Sequence, residues 1–262
     1  MDLQLQGKSV LVLASSKGLG KAVATKYAQE GARVMITSRD EESLSATANE
    51  IKEATGAEVN SFVCDIKDGE QVKQLVAKTV ELYGTVDVLI NNAGGPPAGT
   101  FDKFEDEQWQ HAFELNLLSF VRAIREVLPH MRKQNRGHIV NIASSSIKQP
   151  IDNLLLSNTF RAGILGLSKS LSQEFASDNI LINTVGPGRI ATDRVAELDE
   201  VKANNTGLSY EDVKKQAEAS IPLGRYGEPE EFANTICYLG SPANSYVTGQ
   251  AITVDGGMTK AF

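Results

Sequence analysis

The feature that most narrows what this chain can fold into is a rhythm. Seven short runs rich in β-branched residues, at 9–13, 33–37, 59–64, 86–90, 138–142, 180–185 and 251–254, alternate with longer segments patterned like amphipathic helices. Most of the runs are apolar throughout, as expected of strands covered on both faces; a strand with one wet face alternates polar with apolar residues. Helical patterns at 21–30, 41–54, 69–83, 105–134, 160–176 and 230–239 supply the crossovers. Right-handed crossovers between parallel strands give an α/β fold with a single doubly wound parallel sheet and helices on both faces. No linker or low-complexity stretch intervenes, so residues 1–262 are expected to form one domain.

Charge and cysteine usage remove several function classes. Lys and Arg number 26 against 33 Asp and Glu, a formal charge of −7, which lacks the basic excess that binding a nucleic-acid backbone needs. Cys64 and Cys237 each lie in an apolar stretch, so buried free thiols in a reducing compartment are expected rather than a disulfide or a metal site. Met1 to Gly7 has neither a basic n-region nor an apolar h-region, and no apolar run is long enough to span a bilayer. The expectation is a cytoplasmic protein with no membrane partner.

After the first run comes Ala14-Ser15-Ser16-Lys17-Gly18-Leu19-Gly20, leading into a helix. Glycine lets backbone approach a pyrophosphate closely, and free N–H groups at a helix start bind the anion, as in a Rossmann-type dinucleotide turn. Two glycines alone also suit any tight strand-to-helix turn. Gly7-Lys8-Ser9 looks like the end of a P-loop but precedes its strand, and the glycine required five residues earlier is Asp2. The second run ends Thr37-Ser38-Arg39-Asp40, where an acid would accept the ribose hydroxyls of NAD and an Arg would pair with a 2′-phosphate. Arg39, with Lys17, favours NADP. Asp40 keeps NAD open, and Arg39 also reads as a solvated charge at a strand end.

The segment 191–220 breaks the rhythm: it is polar and charged, with a weak helical pattern from Asp199 onward. A long insertion there reads as a substrate lid or as a solvated surface excursion.

These residues resemble the short-chain dehydrogenases/reductases, and within them the 3-oxoacyl-acyl-carrier-protein reductase-like branch, over essentially the whole chain. The resemblance rests on the Ala14–Gly20 turn, Asp65, Asn91-Asn92-Ala93-Gly94, Asn116, Asn141-Ile142-Ala143-Ser144, Pro187-Gly188 and Gly249 to Gly257. It implies a dinucleotide held by Ala14, Ser16, Lys17, Gly18, Leu19, Ser38, Arg39, Asp65, Asn92, Ala93, Gly94, Pro187 and Gly188. It also implies that Ser144 holds a substrate carbonyl and that Asn116 supports a proton-relay water. A homodimer or homotetramer through the helices at 105–134 and 160–176 is implied as well.

The family's proton-donating Tyr should follow Ser144 by thirteen residues, and its Lys by four more. The sequence has Ser157 and Arg161 there, within Ser157-Asn158-Thr159-Phe160-Arg161-Ala162-Gly163. Arg161 keeps a permanent charge one helical turn from Ser157 and can donate to ribose hydroxyls, so cofactor binding is expected to survive. A Ser hydroxyl is a far weaker acid than a phenol, so the proton path is expected to be atypical, through water held by Asn116, Ser144 and Ser157 with Lys148 or Arg161 supplying charge. Lys148 reads first as a solvated loop residue, since Lys is rarely buried. The run Leu154-Leu155-Leu156 suits a greasy substrate, core packing or a subunit contact. The leading expectation is an NADP(H)-dependent oxidoreductase interconverting a small-molecule carbonyl and alcohol. The alternative is a catalytically silent NADP-binding protein acting as sensor or assembly partner, and a domain with no cofactor is the third reading.

Overall fold

Alternate residues along each central strand pack on opposite faces of one sheet, which is why the runs are apolar throughout. The computed structural model describes residues 1–261, so Phe262, the last residue of the expected domain, lies outside the described residues. Strands β1 (Ser9–Val12), β2 (Arg33–Ser38), β3 (Val59–Val63), β4 (Val88–Asn91), β5 (Gly137–Ile142), β6 (Ile180–Pro187) and β7 (Ala251–Val254) form a sheet in the order β3-β2-β1-β4-β5-β6-β7. Every pairing is parallel. Between β1 and β4 the strand order reverses, and at such a switch point a crevice opens beyond the strands' carboxyl ends.

On one face Val10, Val12, Ile36 and Ile90 pack with Tyr27 of α1 (Gly18–Gln29) and Phe232 of α9 (Pro229–Leu239). On the other, Leu11, Met35 and Leu89 pack with Leu75 of α3 (Gly69–Tyr83) and Phe120 of α5 (Ser119–Lys133). Each such fully buried side chain contributes about 1.5–3 kcal/mol of hydrophobic free energy. Cys64 and Cys237 are buried free thiols in these cores. Among the described residues no helix is long and apolar enough to cross a membrane.

Helix ends follow local chemistry. Asp40 caps α2 (Glu41–Thr55) by accepting from Ser43 N at 2.7 Å, and Gly56 ends the helix with φ +69°. The single helix expected over 105–134 is divided into α4 (Asp106–Phe113), a π-helical turn Glu114–Leu118 and α5. The helix expected from 160 starts earlier, as α6 (Leu155–Glu174). The polar insertion folds into α7 (Asp193–Thr206) and α8 (Tyr210–Ala219).

Candidate active site

The turn after β1 is an interlock of backbone and one amide. Ala14 adopts φ +47°, a left-handed conformation that disfavours a non-glycine residue by about 1 kcal/mol. Its carbonyl accepts from Asn92 Nδ2 at 3.0 Å, so the residue after β4 holds the turn after β1. A Cβ on Gly20 would lie 2.5 Å from Ala14 O and 2.8 Å from Asn92 Nδ2, so only glycine fits there. Gly18 differs: it has φ +57°, and a Cβ would meet nothing within 4 Å, which leaves open space above the backbone. Lys17 is the N-cap of α1 and makes no side-chain cap bond, so the first-turn N–H groups are free for an anion.

Beside the turn, Ser16 Oγ donates to Ser38 Oγ at 3.1 Å, and Asp40 N donates to the same Ser38 oxygen at 3.2 Å. Lys17 and Arg39 are both exposed at this edge. Asp40 is engaged as the α2 cap, and the Ser43 hydrogen bonds hold its carboxyl below the usual range. The group that kept NAD open is therefore already in use, while Arg39 stands free. Leu19 is half-buried against the core. Asp65 follows β3, its Oδ1 accepting from Lys67 N at 3.0 Å. Gly188 lets β6 and β7 close together: its N–H donates to Val254 O at 2.9 Å, and a Cβ would lie 2.5 Å from Asp255 Cβ.

Ser144 follows β5, and Arg161 of α6 reaches backbone carbonyls just past the ends of β4 and β5. Ser144 Oγ accepts from Ser146 N at 3.1 Å, which leaves its own O–H free to donate. Ser157 is buried, one turn before Arg161 on α6. Arg161 is only 4% exposed; Nη1 donates to Ile142 O at 2.9 Å and Nη2 to Ala93 O at 3.3 Å. Burial pushes its pKa down to about 10. Asn116 lies in the π-helical turn, fully buried, and neither amide atom has a hydrogen-bond partner. Such orphans mark a place for water or ligand, and π-turns recur at functional sites.

One feature escaped sequence reasoning. Asn91 Nδ2 donates to Asn141 Oδ1, Asn141 Nδ2 to Ser168 Oγ and Thr184 Oγ1 to the same Ser168 oxygen, each at 2.8 Å. This polar chain crosses β4, β5 and β6, and its sequence signal was Asn141 inside one apolar run and Asn91 just past the end of another.

Two loops wall the space above. Gly99 N donates to Asn153 O at 2.6 Å, and Asn158 holds Ile151 through both its amide atoms, at 3.2 and 2.9 Å. Within Leu154-Leu155-Leu156, Leu156 is fully buried and Leu155 N donates to Gly99 O, so the run fastens these walls together. Lys148 is half-buried in the second loop, and among the described residues none forms an ion pair with it. Across the mouth, Arg194 in the first turn of α7 donates through Nη2 to Pro96 O at 3.4 Å. Further along α7, buried Asp199 takes Arg189 Nη1 and Tyr226 OH, both at 2.6 Å, tying the insertion to the loop after β6.

A cavity of about 510 Å³ runs from Gly18 past Thr192 and Asp193 to Glu228. A larger one, about 860 Å³, opens at the opposite end of the sheet around Asp87 and His138 and touches none of the predicted site residues. The smaller lies at the strands' carboxyl ends, where ligands of open α/β sheets bind, and of the predicted site residues Gly18 alone lines it.

Comparison with known proteins gives the chain's relatives. A family described as enoyl-(acyl carrier protein) reductase matches residues 13–259. The 3-oxoacyl-[acyl-carrier-protein] reductase of Thermotoga maritima is 38% identical over 260 residues, covering 98% of this chain and 99% of that protein. The enzyme of the same name from Aquifex aeolicus is 36% identical over 260 residues, covering 98% and 100%. Among solved structures, L-sorbose reductase from Gluconobacter frateurii, complexed with NADPH and L-sorbose, superposes with a TM-score of 0.95 at 32% identity over 100% of both chains. Actinorhodin polyketide ketoreductase with NADPH gives 0.93 at 35% identity, covering 99% and 100%. The chain thus belongs to the short-chain dehydrogenase/reductase family of oxidoreductases, in its 3-oxoacyl-reductase-like branch.

Proposed function

We propose that this protein is an NADP(H)-dependent oxidoreductase interconverting a carbonyl and an alcohol, with a proton path that does not use a tyrosine. The observation that carries the reading is the open cradle over Gly18, flanked by free α1 N–H groups and by exposed Lys17 and Arg39. The NADPH complexes of the related reductases support the same cofactor. Ala14, Ser16, Gly18 and Leu19 would face the pyrophosphate side, Ser38 and Arg39 the 2′-phosphate, Asp65 the adenine side. Asn92, Ala93, Gly94, Pro187 and Gly188 would border the nicotinamide end. When bound, the cofactor supplies a hydride to the carbonyl carbon, and one proton from water completes the hydroxyl.

The chain's own residues would manage the oxygen and the proton. Ser144 accepts from Ser146 N, and its hydroxyl proton has no acceptor among the described residues, so it can donate to a carbonyl oxygen. Arg161 brings a buried positive charge to the ends of β4 and β5, where a low dielectric strengthens its pull on developing negative charge. Ser157 can accept a proton only as it gives one up, so it serves as a relay for water, with the orphaned amide of Asn116 as anchor. Lys148 is the second candidate to supply charge. We place the insertion at 191–220 as a lid fastened by Asp199, and α5 and α6 as the helices of a homodimer or homotetramer. The buried thiols suit a cytoplasmic setting.

A second reading, an NADP-binding sensor or assembly partner without turnover, is favoured by one observation: among the described residues Arg161 bonds to two backbone carbonyls and to no phenol. Fluorescence titration of NADPH followed by its oxidation with ketones, β-ketoesters, oxo acids and aldehydes separates the two. Binding with turnover is expected; binding with no rate above the uncatalysed one across the panel would favour the second reading.

A further inference from the structure

The stretch at 255–260, which follows β7, touches both sides of the mouth of the site. It begins as a tight turn in which Gly256 and Gly257 take φ +64° and +83°. The Asp255 carboxylate closes this turn with both oxygens, Oδ1 accepting from Gly257 N and Oδ2 from Thr259 N, each at 3.0 Å. Neighbours fix it in place: a Cβ on Gly188 would stand 2.5 Å from Asp255 Cβ, and one on Gly256 would stand 2.8 Å from Ile221 Cγ2.

On one side the stretch holds the insertion. Met258 and Val195 of α7 pack against a small buried cluster of Ala217 from α8, Ile221 and Tyr226. This cluster is separate from the two that cover the sheet, so it serves the insertion, and Met258 joins it from beyond β7. Leu223 N also donates to Gly256 O at 3.2 Å. Helices of 14 and 10 residues are marginal alone in water, so packing of this kind decides where α7 and α8 sit. On the other side the stretch holds the loop that follows Ser144. Lys260 N donates to Gln149 Oε1 at 3.3 Å, and β7 itself lies beside the 3₁₀ turn Ser145–Ile147. Through Arg194 and the carbonyl of Pro96, α7 reaches the opposite wall.

We infer that Met258 is a positioning residue for the carbonyl substrate: through the cluster it shares with Val195 and Ala217 it seats α7 across the mouth, while the same stretch, through Gln149, holds the wall that starts at Ser144. This deepens the reductase reading above and rests on it. Both sides of the mouth are then set by one segment. Losing volume at Met258 loosens the substrate's enclosure and leaves the turn after β1 alone, since β4, β5 and β6 lie between β1 and β7.

The test compares Met258→Ala and Met258→Leu with the parent chain by NADPH oxidation with the best carbonyl of the panel above, by NADPH fluorescence titration and by amide hydrogen exchange. Met258→Ala should raise KM for the carbonyl several-fold, leave NADPH affinity unchanged and speed exchange in α7 and α8 by roughly tenfold, with the sheet unaffected. Met258→Leu conserves volume and should restore both KM and exchange. Gln149→Ala removes an exposed hydrogen-bond acceptor and should raise KM by roughly twofold to threefold; it carries the test where Met258→Ala fails to fold. KM unmoved in Met258→Ala while α7 and α8 exchange faster would overturn the inference, because the insertion would then be loose without consequence for the substrate. Exchange quickened throughout the chain, or weakened NADPH affinity, would overturn it too, since Met258 would then serve stability at large. A parent chain that binds NADPH and reduces no carbonyl would overturn the reductase reading, and this role with it.

Discussion

The turn after β1 and the first turns of α6 are two parts of the candidate site, and they are built in different ways. At the turn, Ala14 takes φ +47° and keeps its carbonyl on Asn92. A phosphate cradle is made of backbone N–H groups, so one methyl costs about 1 kcal/mol and leaves the donors in place. On α6, the chemistry we propose belongs to the side chains of Ser157 and Arg161. A site defined by backbone survives substitution; a site defined by side chains becomes a different site.

The sharpest way to break this contrast is to damage the turn. Gly20→Val would drive a branched side chain into Ala14 O and Asn92 Nδ2, so NADPH affinity should fall more than a hundredfold, about 3 kcal/mol, with a lower Tm. Affinity unchanged by that substitution would mean that the cofactor does not sit on the turn. Next in size is the α6 side. Ser157→Tyr with Arg161→Lys should raise reductase turnover by roughly a hundredfold, the usual worth of a positioned general acid, with NADPH affinity unaltered. A double variant no faster than the parent would mean that the proton runs elsewhere.

The same contrast explains what could be read from the sequence. The sheet was legible because strand burial writes itself into composition: β7 and α3 occupy 251–254 and 69–83, as their patterns indicate. α6 begins at Leu155 rather than 160, because Ser157, Asn158 and Thr159 are weak helix formers that packing overrides. α7 begins at Asp193, before the weak pattern from Asp199, because its buried residues are few: Asp199 and Ala203. The residues of the site were nameable one by one. Their partners were not, since the carbonyls that hold Arg161 and the amide that holds Ala14 lie 19, 68 and 78 residues away.

Between the two regions stands the latch of the insertion. Tyr226 OH donates to Asp199 Oδ2, and burial together with that carboxylate pushes the phenol up to about 12, so it keeps its proton. Tyr226→Phe removes one hydrogen bond to a buried charge, worth about 1.5–3 kcal/mol. Tm should fall by roughly 5 °C. If α7 is a lid, KM for the carbonyl substrate should rise several-fold while NADPH affinity holds; unchanged KM would make the insertion a surface excursion.

The smallest effect lies at the far end of the sheet and checks that the others are local. His138 is largely buried, its Nε2 3.0 Å from Asn244 O, and burial lowers its pKa below the usual 6.5 despite the opposing pull of Asn244 O and Asp87; Lys8 and Arg136 lower it further. The folded state thus binds its proton less readily than the unfolded chain. Stability from this group is complete above pH 6.5 and is lost as the pH falls through and below that value, by up to about 1.4 kcal/mol per pH unit. His138→Gln should flatten the decline of Tm between pH 6.5 and 5 while leaving NADPH affinity and turnover at neutral pH as they were. A variant that also lost affinity would show that the two ends of the sheet are coupled, and the contrast between backbone and side-chain sites would then need a global rather than a local account.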